Sequence, residues 1–464
     1  MKRAWLAAGW GLAAAAASGC SGSRRAPVPA SVVLVTIDTL RADHLGFAGY
    51  PRDTSPNLDG LARAATWFPR CYSVSATTGA SHASLFTSRY PYAHGVLANR
   101  QELPELPSLM SALRARGYLA AAFVSSVVVG RQFGVQRQFD HFDDDLRGTE
   151  ATRPERAERA AGQTVSTALR FLETRPRDRP LFLWLHLIDP HGPYLPPEDP
   201  DRYLADHRVA PVSMLLPLGT WDWPVGELPR YQVLDGRRDA DFYAARYDAE
   251  IRYADTALGR FFAAMEGLGL GGDTLLAVTA DHGETLADPA RRRYFTHGVV
   301  AYEEVARVPL VIRAPAGQAR LQASRDRVVT LLDVAPTLLD LLGVEGPAGF
   351  QGRSLLRPAP EPDAPIFTLG AYGSELLEKR IGTQFSLRRG GWTYVLNSAD
   401  GHEELYDRRN DPHETRDAAG AEPQRLEAMR RELRAFLDRP ARPAAPVKNT
   451  PGTEDKLRSL GYAN

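Results

Sequence analysis

Asp38 closes the apolar run "SVVLVTID", and Asp281 with His282 closes "TLLAVTADHG". Strands of an open α/β sheet gather ligand-binding residues at their carboxyl ends, so these two acids and the imidazole are expected to converge. Buried carboxylates in contact repel each other or take up protons unless a cation lies between them. A divalent ion removes that conflict, and the mixed oxygen and nitrogen donors suit Zn²⁺, Mn²⁺ or Ca²⁺. Asp38, Asp281 and His282 are therefore candidate metal ligands; the alternative is that each acid only caps a loop. A third stretch, "SATTGASHASLFTSRYP" at 75–91, places Thr78 before the small residues Gly79 and Ala80, with a helix expected to begin near Ser81. A helix N-terminus offers free N–H groups and a positive dipole end to an anionic ester. A threonine hydroxyl held there against a cation is acidified and can attack. Read in isolation, Thr78 would be a simple N-cap.

These residues need a scaffold that brings three distant stretches together. "GYLAAAFVSS", "PLFLWLHLID" and "VPLVIRAP" join the two runs above as expected buried strands. Between them "SPNLDGLARAA" reads as a helix with Ser55 capping and Pro56 in the first turn. "YDAEIRYADTALGRFF" carries Tyr247, Ile251, Ala254, Leu258 and Phe261 at helical spacing, and "VVTLLDVAPTLLDLLGV" reads as a helix interrupted or begun at Pro336. Strands alternating with helices predict an α/β fold: a central mixed, mostly parallel sheet with helices on both faces. This body is expected over 31–375, with a loop-like insertion at 195–240 over one edge. There Trp221 and Trp223 would stack on a sugar or aryl group or bury against the core. Past 375, short strands and turn dipeptides predict a small α+β subdomain over 376–440, followed by a Pro-rich tail at 441–464.

Charge narrows the partners. The 464 residues hold 56 Lys+Arg and 56 Asp+Glu, with no basic block to bind nucleic acid. "MKRAWLAAGWGLAAAAASGC" has two cations, an apolar run too short for a convincing span and small residues before Cys20, the layout of an export signal. Its end resembles a bacterial lipobox, although Ala17 stands where Leu is usual. The expectation is a lipoprotein-type signal at 1–20, lipidation at Cys20, a flexible tether at 21–30 and a membrane-anchored, cell-envelope location. The site would face the periplasm or outer membrane, as Ser21 suggests; plain signal cleavage is the alternative. With Cys20 lipidated, Cys71 alone remains, which excludes an internal disulfide and marks it as a small buried residue.

Taken in order, "VLVTIDTLRADHLGFAGYPRDTSPNLDGLA", "SHASLFTSRYPYAHGV", "DPHGPYLPP", "YDAEIRYADTALG", "TADHGE", "THGVVAYEEVARVPLVIRAP", "DVAPTLLDLLGV" and "ELYDRRNDPHE" resemble the sulfatase branch of the alkaline phosphatase superfamily, across nearly the whole mature chain. The resemblance implies an alkaline-phosphatase-like sheet, metal ligation by Asp38, Asp281 and His282, and a nucleophile slot at Thr78 that also touches the metal. It implies that His191 contacts the ester oxyanion or leaving group and that His297 supplies a cationic or proton-donating side chain. His82 stands where the family has its signature arginine, and so joins the catalytic candidates. Without the resemblance, His191 reads as a surface histidine in a Pro-rich turn and His297 as a partner of Glu303 or Glu304. His186 reads as a satisfied core histidine, Arg41 and Asp43 as a pair bracing the metal loop, and Glu250 and Asp255 as structural.

The sequence also departs from that family. Formylglycine formation needs Cys or Ser at the slot, with Pro two and Arg four positions on; here the slot reads Thr78-Gly79-Ala80-Ser81-His82. No formylglycine is expected, Thr39 replaces a second acidic ligand, and the stretch that supplies a catalytic lysine is not visible. A plain hydroxyl suits phosphorus, where water can attack the phospho-threonine intermediate. The expectation is a metal-dependent hydrolase or transferase of phosphoryl or sulfuryl esters, with phosphodiester or phosphonate substrates favoured by the reduced site charge. The alternatives are a sulfatase lacking formylglycine and a non-catalytic lipoprotein binding anionic glycans.

Overall fold

The computed structural model describes residues 31–99, 101–146, 158–219, 226–288, 293–316, 321, 327–358, 364–370 and 382–442. The expectations for the leader, Cys20, the tether, Trp221, Trp223 and positions 443–464 lie outside the described residues. In chain order the body contains β1 (Ser31–Ile37), α1 (Pro56–Ala64), β2 (Thr66–Trp67), β3 (Cys71–Tyr72), α2 (Thr78–Thr87), α3 (Pro91–His94), α4 (Leu109–Arg114), β4 (Leu119–Val124), β5 (His141–Asp143), α5 (Ala161–Thr174) and β6 (Leu181–Leu187). It continues with α6 (Ala240–Gly267), β7 (Thr274–Ala280), β8 (Ala287–Asp288), β9 (Arg293–Tyr294), α7 (Glu303–Ala306), β10 (Arg307–Val308), β11 (Leu310–Arg313), β12 (Val329–Thr330) and α8 (Val334–Leu341).

The main sheet runs β2-β11-β7-β1-β6-β4-β5. From β7 to β5 all pairs are parallel, whereas β11 and β2 add an antiparallel edge. Every residue of β1, β6 and β7 is buried, which is why these strands read as continuous apolar runs. Helices α1, α5 and α6 pack on one another, as do α2, α4 and α8, giving two helical layers. Register does the positioning: Ile37 lies opposite both Leu187 and Ala280. Asp38 and Asp281, the next residues, therefore leave the sheet side by side.

Two local readings are corrected. Helix α2 begins at Thr78 itself rather than near Ser81, with Thr77 as the flanking residue and all ten helical residues buried. Ser55 precedes α1 without capping it through its side chain. Asp255 on α6 does so instead, accepting the N–H groups of Asn57 and Leu58 at 3.0 and 2.8 Å. Helix α6 also starts earlier than its periodic core, while Tyr247, Ile251, Ala254, Leu258 and Phe261 are all buried as its spacing predicts.

The C-terminal subdomain is an antiparallel sheet, β13 (Ile366–Leu369), β14 (Gln384–Arg389), β15 (Trp392–Asn397) and β16 (Glu403–Asp407), covered by α9 (Pro423–Leu437). Phe367, Leu387, Tyr394, Leu433 and Phe436 form its own small core. It joins the body through Glu303, which Arg388 and Arg408 meet at 3.4 and 2.8 Å. Among the described residues no helix is long and apolar enough to cross a membrane.

Candidate active site

The strand ends and the start of α2 bring Asp38, Asp281, His282 and Thr78 together. One ligand atom from each of Asp38, Asp281 and His282 lies within 4.8 Å of the others. The Thr78 hydroxyl is 3.4 Å from Asp38 Oδ2 and 3.3 Å from His282 Nε2. His282 Nδ1 sits 3.0 Å from the Gly283 carbonyl, which only accepts, so Nδ1 carries the proton and Nε2 presents a lone pair. Thr78 has one proton for two acceptors.

Further polar atoms are left over at the same place. Asp38 Oδ1 and Asp281 Oδ2 are buried without a hydrogen-bond partner, as is the Thr39 hydroxyl that follows Asp38. The other Asp281 oxygen is held by the N–H groups of His282 at 2.8 Å and Thr39 at 3.3 Å. Burial pushes the Asp38 carboxyl up to about 7, and the nearby charges of Glu158 and Glu284 add to the rise. Burial and the charge of Asp38 raise Asp281 as well. Orphaned carboxylate oxygens, a lone-pair imidazole and mutual repulsion fit one divalent cation bound by Asp38, Asp281 and His282.

Histidines line the rest of the site. His297 stacks on His282 with centroids 4.7 Å apart, and His191 meets His297 edge-on at 5.1 Å. His191 follows β6, with Nδ1 2.8 Å from the Gly192 carbonyl and 3.7 Å from Glu158. His297 Nδ1 lies 3.1 Å from Glu284 Oε2. Burial holds the His297 imidazole down at about 4. Asp189 accepts the Ala161 N–H at 2.8 Å at the start of α5.

Two histidines differ from their sequence reading. His82 is wholly buried behind Thr78. Its Nδ1 lies 2.8 Å from the Thr78 carbonyl, and its Nε2 lies 3.0 Å from the Thr36 hydroxyl, which also accepts the Trp184 indole N–H at 3.0 Å. Both ring nitrogens of His82 are thus engaged inside the protein, against the Thr78 carbonyl and the Thr36 hydroxyl. His186 is more than a core residue: its Nδ1 accepts the Ser125 N–H at 3.4 Å, which turns Nε2 toward Asp38 at 3.6 Å.

Sequence reasoning missed Glu284 and Glu158. Glu284 lies two residues after His282, and burial pushes its carboxyl up to about 8. An acid two residues after an expected metal ligand was the available signal; Glu158 carried none. Arg41 and Asp43 pair as expected, at 2.7 and 3.0 Å, and Arg41 also donates to the Glu284 carbonyl at 3.3 Å. Gly283 is required by close approach, since a Cβ there would lie 2.1 Å from the Glu304 carbonyl oxygen. Cys71 is fully buried, and burial raises its thiol well above the usual range.

The model of the family described as sulfatase matches residues 30–344, and one described as N-sulphoglucosamine sulphohydrolase, C-terminal, matches residues 292–440. An ulvan-active sulfatase of Formosa agariphila is 25% identical over 440 residues, covering 89% of this chain and 81% of its own length. A multifunctional alkaline phosphatase superfamily protein of Trinickia caryophylli, PehA, is 27% identical over 70% of this chain and 76% of its own. A protein solved with its substrate D-glucosamine-2-N,6-O-disulfate superposes with a TM-score of 0.72 at 19% identity, covering 88% of this chain and 98% of the other.

Proposed function

Because this chain belongs to the sulfatase family of the alkaline phosphatase superfamily, whose members hydrolyse ester bonds, we propose that it cleaves monoanionic esters with the unmodified Thr78 hydroxyl as nucleophile. The observation that carries this reading is the 3.3–3.4 Å contact of Thr78 Oγ1 with His282 and Asp38, two members of the three-ligand cluster. A divalent cation held by Asp38, Asp281 and His282 would supply Lewis acidity, lowering the pKa of the hydroxyl and polarising the ester. Thr78 opens α2, whose positive dipole end favours a negatively charged ester. His297 and His191 stand on the other side of His282, where a leaving oxygen could receive a proton.

Site charge favours the substrate class. Burial keeps the His82, His186 and His297 imidazoles down at about 4. One divalent cation would balance Asp38 and Asp281, which suits a substrate of low charge. Phosphodiesters, phosphonate monoesters and sulfate esters each bring a single charge. Among them phosphorus suits Thr78, because water can attack a phospho-threonine without expelling the whole anion through an aldehyde hydrate. The sulfatase relatives support the second reading, a sulfate-ester hydrolase lacking formylglycine. We also propose export and lipid anchoring at Cys20, tested by the mass of the N-terminal peptide and by release of Cys20→Ser from membranes.

The test of the activity is an ester panel under Mn²⁺, Zn²⁺ and Ca²⁺. Metal-dependent turnover of nitrophenyl phosphodiesters or phosphonates above nitrophenyl sulfate is expected. Turnover confined to sulfate would favour the second reading; inertness toward every ester would overturn both.

A further inference from the structure

Glu284 lies outside the three-ligand cluster but inside the site, fully buried. Its Oε2 is 3.1 Å from His297 Nδ1 and accepts the Tyr194 hydroxyl at 3.4 Å. The two residues face each other because a short ladder runs away from them. Thr285 and Thr296 exchange backbone and hydroxyl hydrogen bonds at 2.6–3.0 Å, Phe295 N–H reaches Leu286 at 3.2 Å, and β8 and β9 continue the pairing. Arg41 pins the Glu284 carbonyl from outside. The backbone therefore fixes Glu284 opposite His297 independently of any bound group.

We propose that Glu284 is a positioning residue for His297, committing Nδ1 to the carboxyl so that Nε2 alone meets the leaving oxygen. This rests on the reading of His297 as the group at the leaving side. When the pair carries two protons, one lies between Oε2 and Nδ1 and the other sits on Nε2. As the ester bond breaks, its electron pair goes to the leaving oxygen, which takes the Nε2 proton. Thr78 attacks as the alkoxide, its own proton lost to solvent beforehand. In the second half-reaction the attacking water returns one proton to Nε2 and leaves the other on the product, and the phosphorus–Thr78 bond breaks with its electron pair on the Thr78 alkoxide. No additional reagent is needed.

The test compares wild type, Glu284→Ala and Glu284→Gln in the full-length protein loaded with Mn²⁺, using nitrophenyl and phenyl esters of one phosphodiester. A poor leaving group needs the proton more, so Glu284→Ala should lower kcat on the phenyl ester about 100-fold and on the nitrophenyl ester less than about tenfold. Glu284→Gln, whose carbonyl still accepts Nδ1–H, should recover part of kcat with KM unchanged, and bound metal should stay constant. Histidine-selective ¹⁵N spectra of the metal-free protein should show the His297 tautomer shifting in Glu284→Ala. Equal losses on both esters, loss of metal or an unmoved His297 signal would overturn the proposal. A wild type without Thr78-dependent turnover would instead defeat the proposed activity, and the spectra alone would then decide whether Glu284 sets the tautomer.

Discussion

Thr78 Oγ1 and His282 Nε2 lie 3.3 Å apart although 204 residues separate them in the chain. Both positions are fully buried, and the hydroxyl lies within hydrogen-bond reach of the Nε2 lone pair of an expected metal ligand. The hydroxyl starts α2, and the imidazole follows β7. Metal binding, nucleophile activation and protein stability are therefore expected to be linked.

The linkage gives a pH dependence. In the folded chain burial raises Asp38 from 3.8 to about 7 and Glu284 from 4.5 to about 8, and also raises Asp281. These carboxyls bind more protons in the folded state between roughly pH 4 and 8, but His82, His186 and His297, held at about 4, bind fewer below about pH 6.5. The fall in metal-free stability with rising pH is therefore expected between about pH 6.5 and 8. A cation takes the deprotonated ligands, so its stabilising effect grows with pH and reaches about 2.7 kcal/mol at a hundredfold excess over Kd. Thermal unfolding of chelator-treated protein at about pH 6.5 and 8, with and without Mn²⁺, reads this directly. A melting temperature indifferent to both pH and metal would contradict it.

The buried brace behind the nucleophile should matter for folding more than for chemistry. Thr36 receives the Trp184 indole N–H and meets His82 Nε2, both at 3.0 Å. Thr36→Val leaves those groups without a partner and should cost about 1–3 kcal/mol in urea unfolding. His82→Ala adds a cavity beneath Thr78 and should cost about 2–5 kcal/mol. Both should keep their metal, and Thr36→Val should keep kcat within about threefold, a change of roughly 0.7 kcal/mol. A catalytic collapse in Thr36→Val with unchanged stability would refute the bracing role.

At the subdomain junction, Arg388 is buried and bonds Glu303, Ser386, Thr368 and the Ala301 carbonyl at once. Arg388→Ala removes a principal cation from the buried Glu303 carboxylate and is expected to cost about 3–5 kcal/mol. Arg388→Lys should recover little of this, because an ammonium cannot reproduce the planar fork. Denaturant midpoints for the three proteins check the order; equal midpoints would contradict it.

Much of the sheet was legible because β1, β6 and β7 are buried on both faces and so appear as unbroken apolar runs ending in Asp38, Ile188 and Asp281. Helix starts were less legible where the cap comes from far away. Asn99 takes the Gly79 N–H at 2.7 Å near the start of α2, and Asp255 reaches Leu58 from 197 residues along the chain. Nothing local to Ser81 or Ser55 reveals that. The roles of His82 and His186 turn on which ring nitrogen faces which neighbour, and residue spacing does not carry that information. Glu284 stood within a quoted motif, but its pairing with His297 depends on the ladder that folds 285 against 296.

The central claim is that Thr78 itself makes the bond to the substrate. The measurement is kcat/KM for wild type, Thr78→Ser and Thr78→Ala on the best ester, with metal content determined in the same samples. Thr78→Ala should lose about 10⁴-fold or more and Thr78→Ser should retain most turnover, with metal bound in both. Thr78→Ala turning over within about tenfold of wild type, a barrier change near 1.4 kcal/mol, would contradict it.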